Sequence, residues 1–253
     1  MPDPLDVLRD HLGRAVIALD YDGTLAPIVD RPSDAVPARG ALDVLTALAP
    51  RVGTLALVTG RPADVVVALG GLAAVPGLVV LGQYGAQRWA GAELTAAPQL
   101  PGVADARRAL PAMLAAEGAQ LEDKGLSVVV HTRRSPDPAG ALDRLAAPVA
   151  AVAAAAGLEL HQGRLVLELR PPGFDKRGAL LSLCEPLPSA VLFAGDDLGD
   201  LPAYDAVDEL RGQGVPGVTV CSGSAEGPAA VRDRADVVVD GPSGVVALLR
   251  SLL

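Results

Sequence analysis

The chain carries two kinds of hydrophobic patterning. Over residues 15–19 (A-V-I-A-L), 53–58 (G-T-L-A-L-V), 78–81 and 190–194, apolar residues run almost without interruption and stop abruptly at polar clusters. Short aliphatic runs bounded by turn residues predict strands buried on both faces. Helical spacing lies between them. Prolines 37 and 50 bracket a helix with Leu42, Leu45 and Leu48 on one face, and Pro62 opens another that runs through Leu69. Later, a helix is predicted from Asp175-Lys176 through Cys184, then helices near 201–210 and 228–232 and at the C-terminus, with strands at 218–221 and 236–239 between them. Strands alternating with helices predict an α/β core, a doubly wound, Rossmann-like parallel sheet.

From about residue 86 the pattern changes. Residues 89–94 predict a hairpin around Gly91, followed by a helix over 103–117, a strand over 126–132, a helix over 138–156 and strands over 158–161 and 165–170. These strands alternate apolar with polar, which predicts a sheet with one covered and one open face. By parity Val128, Val130, Leu158, Leu160, Leu165, Leu167 and Leu169 share the covered side, and His131, Arg133, Glu159, His161, Glu168 and Arg170 stand opposite. Such a face is either simply solvated or, being rich in carboxylates and guanidinia, suited to holding hydroxyl groups. The expected organisation is a core formed by 1–99 and 173–253, interrupted by an α+β insert over 100–172.

Composition narrows the function classes. The chain has 253 residues, half of them hydrophobic, and a formal net charge of −9. That charge argues against nucleic-acid and anionic-membrane partners, which call for basic patches. The first ten residues are charged where a signal peptide is apolar, and no stretch is long and apolar enough to span a bilayer, so a cytoplasmic protein is expected. Nothing in the sequence sets the oligomeric state, and a monomer is favoured. Two cysteines, Cys184 and Cys221, fit no metal spacing. Of 21 basic residues only Lys124 and Lys176 are lysine, which marks both, since lysine is a compact point charge where arginine is a planar fork.

The chemistry gathers where apolar runs end. Asp20 and Asp22 follow the first run, two residues apart on an extended chain, and so lean out on the same side. Like charges so placed need a cation or a proton between them. A plain turn is the alternative; a calcium loop is not, because the twelfth position counted from Asp20 is Arg31, and counted from Asp196 it is Val207. Thr59-Gly60 ends the second run, and Asp196, Asp197 and Asp200 follow the one at 190–194. In open α/β sheets ligands bind beyond the carboxyl ends of the strands. Carboxylates beside a short hydroxyl and a lysine describe a site for Mg2+ and a phosphoryl group.

The segments D-Y-D-G-T-L, T-G-R, D-K and G-D-D-L-G-D, in that order, resemble the four motifs of haloacid-dehalogenase-type phosphatases, nearly end to end. The insert resembles the cap of trehalose-6-phosphate phosphatases through residues 121–133 (L-E-D-K-G-L-S-V-V-V-H-T-R) and 167–178 (L-E-L-R-P-P-G-F-D-K-R-G). The resemblance implies a Mg2+-dependent phosphatase acting on a sugar phosphate, trehalose 6-phosphate. Asp20 would be the nucleophile that forms an aspartyl-phosphate. Asp22 would serve as acid and base with its side chain kept free, and Asp20, the Asp22 carbonyl and Asp196 would hold the metal. Thr59, Gly60 and Lys176 would bind the phosphoryl group, and Asp197 and Asp200 would orient the metal site. In the insert, Glu122, Lys124 and Glu168, with His131 and Arg170, would grip the distal glucose. Two departures stand out: Arg177 separates Lys176 from Gly178 where the family usually has Lys-Gly, and Tyr84 stands where a histidine is common. The alternatives are a sucrose-phosphate-type phosphatase, a sugar phosphomutase of the phosphomannomutase type, and a non-catalytic sugar-phosphate sensor.

Overall fold

A computed structural model describes residues 4–29, 31–163, 165–224 and 227–253. In chain order the elements are α1 Asp6–Arg9, β1 Val16–Leu19, α2 Ala41–Leu48, β2 Thr54–Val58, α3 Ala63–Gly70, β3 Val79–Gly82, β4 Gln87–Ala90, β5 Glu93–Ala96, α4 Pro101–Glu117, β6 Gln120–Asp123, β7 Val128–His131, α5 Pro138–Ala155, β8 Glu159–Gly163, β9 Val166–Arg170, α6 Lys176–Leu183, β10 Val191–Gly195, α7 Leu201–Gly212, β11 Gly217–Gly223, α8 Ala229–Arg234, β12 Val237–Asp240 and α9 Gly241–Arg250. They fall into two units, one of Met1–Thr95 with Asp175–Leu253 and one of Ala96–Phe174.

The first unit is built on an eight-stranded sheet in the order β12-β11-β10-β1-β2-β3-β4-β5. From β12 to β3 neighbouring strands run parallel, and β4 turns back against β3. Residues of β1 alternate between two cores. Ile17 and Leu19 face Leu45 and Leu48 of α2, Val66 of α3 and Leu249 of α9, whereas Val16 and Ala18 face Leu180 of α6 and Tyr204 and Val207 of α7. Burial on both faces explains why the strand reads as an unbroken apolar run. The chain leaves β1 toward β2 through α2 on one face and leaves β10 toward β11 through α7 on the other. The strand order therefore reverses between β1 and β10, the position where open α/β sheets bind ligands. Leu19 pairs in register with Leu57 of β2 and Ala194 of β10, so the three polar clusters follow adjacent strand ends.

The second unit is a four-stranded antiparallel sheet, β6-β7-β9-β8, covered on one face by α4 and α5. Val128, Val130, Leu158, Leu167 and Leu169 lie in its core, with Leu160 at the margin. Three details differ from the sequence pattern. The pattern misses β6 because Q-L-E-D holds one apolar residue and poor strand formers; the ladder to β7 makes it a strand. Leu165 precedes β9 in a left-handed turn, φ 60°, and Arg133 lies exposed beyond the end of β7, so neither belongs to a sheet face. No helix among the described residues is long and apolar enough to cross a membrane.

Candidate active site

Asp20 continues the β1 ladder, its amide donating to the Ala194 carbonyl at 2.8 Å. The chain then turns sharply: the Leu25 amide reaches back to the Tyr21 carbonyl, the Gly23 amide donates to Ala26, and the buried Tyr21 hydroxyl anchors the turn on the Ala35 carbonyl. Gly23 sits at φ 78°, and a β-carbon there would lie 2.1 Å from Asp196 Oδ2. Ser222, at the end of β11, donates its hydroxyl to the Gly23 carbonyl at 2.7 Å, and Thr24 Oγ1 donates to Asp196 Oδ1 at 3.3 Å. The glycine is thus needed twice, for its left-handed backbone and for the close approach of Asp196.

The loop after β10 is organised by Asp200. Its Oδ2 accepts the amides of Asp196 and Asp197 at 2.9 and 3.1 Å, while Asp197 accepts the Gly199 amide, a reciprocal capping box. Asp200 Oδ1 accepts Lys176 Nζ at 2.6 Å, and the same ammonium donates to Asp20 Oδ1 at 2.7 Å. Lys176 opens α6 beneath an Asp175 cap, and Asp20, Lys176 and Asp200 are all buried. Arg177, the extra residue, turns outward to pair with Glu209 of α7.

One ammonium therefore faces a surplus of carboxylates. Burial pushes the Asp20 carboxyl well above its usual range; Lys176 opposes the shift, and Asp200, Asp196 and Asp197 add to it. Burial with Asp200 and Asp197 pushes Asp196 up to about 7, and burial raises Asp197 too. Burial alone would lower Lys176, but Asp20 and Asp200 beside it hold its pKa well above the ordinary value, so it stays charged. Oxygens of Asp20, Asp196 and Asp200 lie within 4.8 Å of one another. This all-oxygen, negatively charged donor set fits a hard divalent cation such as Mg2+. Both Asp200 oxygens are already engaged, which leaves Asp20 and Asp196 as the side chains to ligate it.

One strand over, the Thr59 hydroxyl is buried and accepts the Arg61 amide at 3.1 Å. The Asp22 carboxylate is not free, contrary to expectation: the Arg61 guanidinium grips both of its oxygens, at 2.6 and 2.7 Å. Arg61 also donates to the Pro32 carbonyl at 2.7 Å and lies 5.8 Å from the centre of the Tyr21 ring. The loop after β3 follows: Gln83, Tyr84 and Gly85 have φ of 46°, 59° and 98°. For a residue other than glycine this conformation costs about 1–2 kcal/mol. Arg61 was readable only as the last letter of T-G-R; Ser222 carried no signal at all.

In the second unit, strand register places Glu122, Val129, Glu168 and His161 in one row across the open face. Glu122 pairs with His131 at 2.8 Å. Buried Glu168 accepts from Lys124 Nζ at 3.3 Å and from the Ser127 hydroxyl at 2.9 Å. Arg170 Nη2 donates to His161 Nδ1 at 3.0 Å; arginine can only donate, so His161 carries its proton on Nε2, facing Glu159 Oε2 at 3.3 Å. Parity identifies this face, but Ser127, three residues after Lys124, carries no signal of its own.

Residues 18–237 match the sequence model of the trehalose-phosphatase family. The chain belongs to the trehalose-phosphatase family. Among family members, the trehalose-phosphate phosphatase of Mycobacterium avium is 36% identical over 222 residues, covering 79% of this chain and 53% of that protein. An uncharacterized glycosyl hydrolase of Mycobacterium tuberculosis is 38% identical over 211 residues, 77% of this chain but 15% of that protein. The chain thus spans only part of the length of these curated relatives. In fold, this chain is similar to the C-terminal domain of a C. albicans trehalose-6-phosphate phosphatase, with a TM-score of 0.82 at 21% identity over 98% of this chain and 95% of that one. A haloacid dehalogenase-like hydrolase from Bacteroides thetaiotaomicron superposes with a TM-score of 0.66 at 16% identity, over 95% of this chain and all of that one.

Proposed function

We propose that the chain is a Mg2+-dependent phosphatase that releases trehalose from trehalose 6-phosphate. The observation that carries this reading is the buried Asp20–Lys176–Asp200 contact beside Asp196, at the strand-order reversal of a trehalose-phosphatase family member. In this reading an Asp20 oxygen attacks phosphorus as the bond to the sugar oxygen breaks, and Asp22 gives the departing oxygen a proton. A water then attacks the aspartyl-phosphate, Asp22 takes its proton, and the Asp20–phosphorus bond breaks to release phosphate. Asp22 therefore has to leave the grip of Arg61 or act from within it. Lys176, Thr59 and the Gly60 amide neutralise and orient the phosphoryl group. Asp20, Asp196 and the Asp22 carbonyl would hold Mg2+, which when bound supplies positive charge to the phosphoryl oxygens.

The second unit acts as the cap, with Glu122, Lys124, Glu168, His131 and Arg170 selecting the sugar through its hydroxyls. A phosphomutase would use basic residues of that face to hold a second phosphate. Arg133 lies exposed off the sheet and Arg170 is buried with one nitrogen on His161, beside the carboxylates Glu122 and Glu168, so the observations favour hydrolysis. The test is phosphate release from a panel of sugar phosphates, sucrose 6-phosphate and glucose phosphates included, with and without Mg2+. Trehalose 6-phosphate should lead the panel, and Asp20→Asn should abolish turnover. Full activity in that variant, or phosphate moved between sugar positions without release, would refute the proposal.

A further inference from the structure

We propose that Tyr84 completes the phosphate clamp, its phenolic O–H donating a hydrogen bond to the phosphoryl group held by Thr59 and Gly60. The inference rests on the reading of that turn as a phosphate site and adds a residue to it. Three observations converge. Gln83 and Tyr84, neither of them glycine, both adopt left-handed backbone before Gly85 does the same. Strain of this kind persists only where the surroundings enforce it, and it gathers at functional sites. The enforcement is visible: the Gln83 amide donates to the Arg61 carbonyl at 2.9 Å and the Tyr84 amide to the Thr59 carbonyl at 3.0 Å, drawing the loop onto the turn after β2. Finally, the phenol ends over Gly60. A β-carbon on Gly60 would lie 2.6 Å from the Tyr84 oxygen and 2.8 Å from the ring carbon that bears it.

The loop therefore brings a phenol against Gly60, the residue that follows Thr59 in the chain. A phenol suits such a position because it donates to a phosphoryl oxygen without adding charge beside Lys176.

The probe is inorganic phosphate, the reaction product, used as an inhibitor of the full chain with Mg2+ present. Tyr84→Phe keeps the ring and its packing and removes only the hydroxyl, so thermal stability should not change. The inhibition constant for phosphate and the KM for trehalose 6-phosphate should both rise about tenfold, the low end for one hydrogen bond to a charged group. Thr59→Ala is run beside it. If Thr59→Ala weakens phosphate inhibition and Tyr84→Phe does not, the role of Tyr84 is overturned while the clamp stands. If neither variant changes it, the reading of the turn as a phosphate site falls, and this inference with it.

Discussion

Gly23→Ala tests the architecture of the carboxylate cluster most directly, because two separable costs meet at one position. The first is backbone: at φ 78° an alanine is left-handed, which costs about 1–2 kcal/mol. The second is contact, since the new methyl would stand 2.1 Å from Asp196 Oδ2. The turn cannot easily back away, because the Ser222 hydroxyl holds the Gly23 carbonyl. Asp196 has to rotate instead and loses its bond from Thr24, worth about 1 kcal/mol. The sum is roughly 2–3 kcal/mol, and for a chain of this size each kcal/mol lowers Tm by about 2–4 °C. Gly214→Ala is the matched control: its φ is 86° and nothing lies within 4 Å of the added carbon, so it suffers the backbone cost alone.

Thermal melts of both variants, with and without Mg2+, separate the two costs. The wild-type chain and Gly214→Ala should gain Tm as Mg2+ is added, because a ligand of the native state stabilises it by mass action. Gly23→Ala should melt below Gly214→Ala and gain little, since its Asp196 no longer faces Asp20. If Gly23→Ala melts with Gly214→Ala and responds to Mg2+ like the wild type, the proposed metal site is wrongly placed.

Four further outcomes are expected. Arg61→Met, which frees the Asp22 carboxylate, should lower kcat on the order of tenfold with KM little changed, as for a proton-transfer group left unpositioned; a KM effect alone would place Arg61 in substrate binding. Ser127→Ala strips Glu168 of a hydrogen bond of about 1 kcal/mol, so KM for trehalose 6-phosphate should rise roughly fivefold at constant kcat, and an unchanged KM would remove Glu168 from sugar binding. Burial alone would raise the Asp236 carboxyl, but the Thr219 amide and hydroxyl and Arg211 hold it below the usual range, so its stabilisation is present above the unfolded value near 4 and lost as pH falls through the folded one. The Tm gap between wild type and Asp236→Asn should therefore be widest at neutral pH and close in acid, and a gap constant from pH 7 to about 3 contradicts the linkage. With Asp196 pushed up to about 7, protons compete with Mg2+, and calorimetric Mg2+ affinity should drop steadily below that pH; a flat profile would exclude Asp196 as a ligand.

Much of this was readable in the chain, for reasons visible in particular residues. β1, β2 and β10 announce themselves because both of their faces are buried, so nearly every position is apolar until the carboxyl end, where the polar clusters start. The open face of the second unit follows from alternation alone, and strand register keeps Glu122, Glu168 and His161 in one row. What periodicity omits is the lateral partner. Nothing in C-S-G announces that Ser222 reaches Gly23, far away in sequence, or that Arg61 turns back across the sheet edge onto Asp22. β6 escapes the pattern because pairing with β7, rather than its own composition, makes it a strand. The left-handed backbone of Gln83 and Tyr84 likewise contradicts local preference and is imposed by the turn it packs against.

The two lysines of an arginine-rich chain show how composition and site chemistry meet. Most exposed ion pairs here use arginine: Arg144 with Glu117, Arg234 with Asp205 and Asp208, Arg177 with Glu209. A surface pair of this kind contributes little, and either basic residue serves. Lys176 has a different task. It lies buried between Asp20 and Asp200, donating to each at 2.7 and 2.6 Å from a single nitrogen. A guanidinium spreads its donors over a rigid plane and grips one carboxylate with two of them, as Arg61 grips Asp22. In the space of one ammonium it cannot turn toward two carboxylates that follow different strands. Lys124, drawn in over Glu168 on the second sheet, meets its carboxylate in the same single-atom way. Arg170, though buried, donates from Nη2 to the His161 ring. Substituting Lys176 by arginine would therefore conserve charge and still lose the contact to Asp20, which is a physical reason for lysine at this position in an arginine-rich chain.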